Sequence, residues 1–141
     1  MNRENVSARC STIEECYEFM LAYAGQGLSG KENSRSTSEV RDYLNRAVEA
    51  LSGLAESYDA TVRHEHLHPA DRYLAFLAVV ERDARDSLAA IQLVLAQPTI
   101  SSQLIDNLNA SIHLRALLTD LFLIDEIFKL HRNTGRLAST S

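Results

Sequence analysis

Apolar positions recur along this chain at three- and four-residue steps, in segments separated by short polar stretches. Ile13, Cys16, Tyr17, Met20, Leu21 and Ala24 share one helical face behind Ser11-Thr12 and Glu14-Glu15, a capping-box opening in which either hydroxyl residue serves as N-cap. Gly25 and Gly27 end that helix, which predicts a short first element. Val40, Leu44, Ala47, Leu51, Leu54 and Tyr58 then step by 4, 3, 4, 3 and 4, and Val48, Ala55 and Val62 widen the stripe. That average of 3.5 residues is the period of coiled coils and four-helix bundles. Thr37 or Ser38 opens this second helix, with Glu39 and Asp42 suited to its positive end. A third stripe, Leu74, Leu77, Glu81, Ala84, Leu88, Ile91 and Leu95, runs between Pro69 and Pro98. Thr99 or Ser101 caps a fourth helix that continues to about Arg132.

The spacers complete the expected architecture. Residues 26–36 are polar and rich in Gly and Ser, the composition of a mobile loop. The connections at Pro69 and Pro98 are tight, and tight turns between long helices make antiparallel neighbours. Little Val/Thr/Tyr alternation is present to build a sheet. The expectation is an all-α, up-and-down antiparallel helical bundle of one short and three long helices, occupying residues 11–133. Residues 1–10 and 134–141 are expected to be disordered ends.

The fourth helix carries two apolar faces. Leu104, Ile105, Leu108 and Ile112, continued by Phe122 and Leu123, form one. Leu114, Leu117, Leu121, Ile124 and Phe128 form a second, roughly 150° away at 100° per residue. A helix apolar on two sides is central in its domain or shared with a second chain. With the first helix short, the second face is expected to be an interaction surface and the protein a homodimer.

Composition narrows the function. The 141 residues are 45% hydrophobic and 23% charged, with a net charge of −5, which favours a soluble globular chain over a phosphate-backbone binder. Lys129, His131, Arg132 and Arg136 are the nearest thing to a basic patch, and cations in a last turn complement the helix dipole. No nucleic acid is expected. The first residues lack an apolar signal core, and no apolar run approaches the ~20 residues of a membrane span. Cys10 and Cys16 fit no CxxC motif and on a helix point to different faces, so reduced thiols in a cytoplasm are expected.

Candidate chemistry is sparse. Glu65 and His68 form the one Glu-x-x-His step in the chain, half of what a di-iron carboxylate bundle needs. His64, His66 and His68 cluster, yet Pro69 takes His68 out of helical register, so no tight metal site is expected there. Glu81 and Arg115 interrupt apolar stripes at equal distances from Pro98, so an antiparallel hairpin would bring them level as a buried ion pair. Gln103, Asp106, Asn109, His113 and Asp120 line a polar strip on the fourth helix, and Cys16 reads as a core thiol. The match Gly25-x-Gly27-x-x-Gly30 ends a helix rather than opening one after a strand, so it is no phosphate loop. No GxSxG, HExxH or EF-hand pattern occurs, and no cofactor is implied. The reading is a non-enzymatic helical interaction module: a homodimeric adaptor, small regulator or assembly factor with a possible protein partner. The alternative is a bundle binding a small molecule or metal through Glu81/Arg115 or the His64–His68 turn.

Overall fold

The computed structural model describes residues 3–31 and 34–140, with side chains described for 5–31 and 38–131. It contains six helices: α1 (Arg3–Ala24), α2 (Ser34–Leu51), α3 (Leu54–His64), α4 (Ala70–Leu95), α5 (Ser102–Ala110) and α6 (Ile112–Thr140). No strand occurs among the described residues. The all-α antiparallel bundle is as expected, but the division into one short and three long helices is not.

The first helix is not short. It starts at Arg3, ahead of Ser11 and Thr12, because Val6 and Cys10 carry the apolar spacing upstream and are buried with Ile13, Cys16, Met20 and Tyr23. Thr12 lies mid-helix, its hydroxyl donating to the Ala8 carbonyl at 3.0 Å. Most of the stretch expected as a disordered N-terminus is therefore helical. The side chains of the expected tail, 134–141, lie outside the described residues.

The predicted second helix is two helices in one line of sequence. Its stripe is buried as expected from Val40 through Leu54, Tyr58 and Val62. Between Leu51 and Leu54, however, Gly53 takes a left-handed φ of 84°, where a side chain is strained. The carbonyls left open at the end of α2 are satisfied from another helix. Arg9 of α1 forks its guanidinium to Glu49 and Ala50 (both 3.1 Å) and Ser52 (2.6 Å). A cation at a helix C-terminus also meets the negative end of the dipole. Arg41 of α2 repeats the device on α4, donating to Leu95 (2.9 Å), Gln97 (2.7 Å) and Pro98 (3.2 Å).

The stretch expected to be a free loop is tied down over its described part. The Leu28 amide donates to Ser102 Oγ at 2.8 Å, and the Ser102 amide donates back to the Leu28 carbonyl at 2.7 Å. Ser102 Oγ also donates to the Tyr23 carbonyl, and the Tyr23 hydroxyl to that of Ile100. Gly30 packs so closely that a Cβ there would lie 2.9 Å from the Ile100 backbone. Residues 32 and 33, and the side chains of the Thr37–Ser38 region up to residue 37, lie outside the described residues.

On α4 the buried stripe is Tyr73, Leu77, Val80, Ala84, Ser87, Ile91 and Val94. It shares Leu77, Ala84 and Ile91 with the expected one and takes the neighbour on the other side each time. α1 packs on α2, α5 and α3, while α4 packs on α6, α3 and α2, so these two helices are the centre of the bundle.

Candidate functional site

The predicted fourth helix breaks at Ser111, whose φ of −62° and ψ of 140° are extended. Ser101 caps the first half as predicted, accepting from the Leu104 amide. Ser111 ends that half and opens the next, its Oγ accepting from the Leu114 amide at 3.4 Å. The break parts the two apolar faces only in part: Leu104, Ile105 and Leu108 lie on α5, whereas Ile112, Phe122 and Leu123 share α6 with the second face. Leu114, Leu117, Leu121, Ile124 and Phe128 are all buried inside this chain, packed toward α4 and the core. Their assignment as an interaction surface is corrected by this break.

What α6 offers outward is the opposite face. Ile112 is 74% exposed, Phe122 60%, Leu123 51% and Leu130 58%. Ile112, Ala116, Thr119, Leu123, Glu126 and Leu130 step by 4, 3, 4, 3 and 4, which is a second stripe of 3.5-residue period. Glu126 stands at one edge of it, and Arg115 and Phe122 flank that edge. Neither Arg115 nor Glu126 makes an ion pair within the chain among the described residues.

Beside Phe122, α6 and α1 border a groove of about 510 Å³ walled by Val6, Cys10, Glu14 and Phe128. Its floor is a hydrogen-bond chain across three helices. Tyr58 donates to Asp125 Oδ1 at 3.0 Å, and Cys10 Sγ lies 3.1 Å from the same hydroxyl. The phenol has one hydrogen, so with Asp125 accepting it, the Cys10 thiol donates to Tyr58. Burial pushes the Cys10 thiol up to about 12, and burial raises Tyr58 as well. Asp125 is raised by burial, opposed by the Tyr58 bond and by Lys129. A thiol held protonated in this way is a structural donor, not a nucleophile. Cys16 is likewise buried and donates to the Tyr43 carbonyl at 3.2 Å. Both cysteines are buried on different faces of α1, as expected, Cys10 against Tyr58 of α3 and Cys16 against the Tyr43 carbonyl of α2.

Glu81 and Arg115 do not meet. Glu81 is on the surface with Arg85 at 2.9 Å, one turn away on its own helix, and Arg115 is exposed. The physical reason is the phase of α4: Val80, not Glu81, completes the buried stripe, which spares the chain a buried charge. Glu81 and Arg85 instead edge a shallow groove of about 500 Å³ between α3 and α4.

A different pair of helices brings two carboxyls together. Asp120 of α6 faces Asp83 of α4, and its carboxyl is raised to about 7 by burial first, then by the hydrogen bond and charge of Asp83. Farther along the same two helices, His113 Nδ1 stands 3.9 Å from Asp86. The bend at Ser111 separates Gln103, Asp106 and Asn109 from His113 and Asp120, and within α5 Asn109 is buried while Gln103 and Asp106 face solvent.

His64, His66 and His68 are exposed in the turn from α3 to α4, where His66 has a φ of 53° and the His68–Pro69 peptide is cis. Among the described residues no three His, Cys, Asp or Glu side chains converge as metal ligands. His131 packs near the start of α4, Nε2 2.6 Å from the Tyr73 hydroxyl. No described helix is long and apolar enough to cross a membrane.

No family model, curated protein or solved structure matches the chain.

Proposed function

We propose that this protein is a non-enzymatic helical interaction module whose working surface is the outer face of α6. One observation supports the reading: a 3.5-period stripe with three large apolar side chains at least half exposed, Ile112, Leu123 and Leu130, set opposite the helix's buried face. Single exposed apolar residues are ordinary, whereas several aligned on one face of a helix mark a surface that another helix covers. The stripe's period fits a helix running alongside α6, as in a two-stranded coiled-coil contact. The buried chemistry is consistent with a structural role, because the Cys10–Tyr58–Asp125 chain holds its protons and its groups pair with each other.

Site-specific photo-cross-linking in the native cells tests this. A photoreactive residue at Leu123 should give a discrete protein adduct, and one at the exposed Arg82 on α4 should not. No adduct from position 123, or equal adducts from both positions, would overturn the reading.

A further inference from the structure

We infer that the helix covering the α6 stripe is α6 of a second copy, running antiparallel about a two-fold axis level with residue 121. The inference rests on the reading of this face as an interaction surface, and it names the occupant from the order of residues along it. With Ile112 against Leu130 of the second copy, Thr119 falls against Leu123 of that copy, and each contact is repeated by symmetry. Ala116 on one side of the stripe comes level with Ile127 of the second copy, half-buried apolar against half-buried apolar.

Charge fixes the direction. At ~1.5 Å per residue, Arg115 lies about 9 Å to one side of the midpoint and Glu126 about 8 Å to the other. Both belong to the same flank of the stripe, at azimuths roughly 20° apart on a wheel of 100° per residue. A two-fold axis perpendicular to antiparallel helices sets like flank against like flank. Arg115 therefore comes level with Glu126 of the second copy, twice per dimer, and the two Phe122 rings sit between these pairs. A parallel arrangement sets this flank against the other one, where Ala116 and Ile127 stand, and leaves all four charges unpaired. Lys129 lies farther round toward Asp125, whose charge it offsets. An isologous contact of this kind is self-complementary and closes at two chains.

Sedimentation equilibrium of the full chain and three variants decides the matter. Wild type should be a dimer at ~100 μM, and Leu123→Arg a folded monomer by circular dichroism. Arg115→Glu and Glu126→Arg, each placing like charges together, should weaken the dimer by about tenfold, and the double swap should restore it. Rescue in the double variant supports the antiparallel register. A wild-type monomer overturns the second copy as occupant; if position 123 still cross-links to a different protein, the interaction reading itself stands. A dimer that ignores both charge swaps, or one weakened by each and not rescued by the double, overturns the antiparallel pairing.

Discussion

Three side chains do work here that their local sequence does not announce. Arg9 and Arg41 each fork to carbonyls at the end of a different helix, joining α1 to α2 and α2 to α4. Arg9→Ala should cost about 1–2 kcal/mol in a urea melt, since bonds to a charged donor and the dipole contact are both lost. Arg9→Lys should recover only part, because one ammonium cannot reach these carbonyls and also replace the Nε bond to Asn5. Tyr58 links Cys10 to Asp125, and Tyr58→Phe leaves a half-buried carboxylate and a buried thiol without it. That change should cost about 1–3 kcal/mol by the same assay, and a neutral result would show the chain to be incidental. With the Cys10 thiol raised to about 12 and Cys16 raised by burial, native protein at pH 8 should resist iodoacetamide, and both thiols should react in urea.

At the scale of helices, periodicity identified what is buried better than where elements end. The α2–α3 stripe was legible from Val40 to Val62 because Leu51 and Leu54 keep phase across the break, and that continuity hid the break. The remaining signal was Gly53 itself, a residue costly in a helix interior and free to take a φ of 84°. Gly53→Ala should therefore cost about 1–2 kcal/mol, whereas a helix-interior glycine would be stabilised by the same change. The α5–α6 break did leave a mark, a jump of about 150° in the apolar phase beside a serine suited to capping. The jump marked a bend, and Ile112, Phe122 and Leu123 nevertheless leave α6 apolar on its outer side. On α4, Leu77, Ala84 and Ile91 were legible, but choosing the leucine-rich flank admitted Glu81 and invented a buried pair with Arg115. Measured as monomers, Glu81→Ala and Arg115→Ala should each stay within about 0.5 kcal/mol of wild type, as exposed charges do. Of the candidate site, the row on α6 was partly visible through Ile112, Phe122 and Leu123, while the tertiary links from Arg9, Arg41 and Tyr58 need the fold to be seen.

In the whole molecule, pH acts most clearly through the α4–α6 contact at Asp83 and Asp120. An unfolded aspartate titrates near 3.8, and the folded Asp120 near 7. Between those values the folded state keeps a proton that the unfolded state releases, so this group's stabilisation is full below about pH 4 and is lost as pH rises through 7. Asp120→Asn should remove that dependence and raise stability at pH 8 by about 1 kcal/mol, the shift being discounted for a partly solvated site. The proposed surface requires that one side of α6 belong to the chain's own core and the other not, and two residues on that helix, two apart in sequence, separate the possibilities. A urea melt comparing Leu121→Glu with Leu123→Glu is the most direct test. Leu121 is 1% exposed and Leu123 51%, so Leu121→Glu should lose 4 kcal/mol or more, on the order expected for an unpaired charge in a core, or fail to fold. Leu123→Glu should stay within about 0.5 kcal/mol of wild type when both are measured as monomers. Equal losses, or a larger loss at Leu123, would contradict the account.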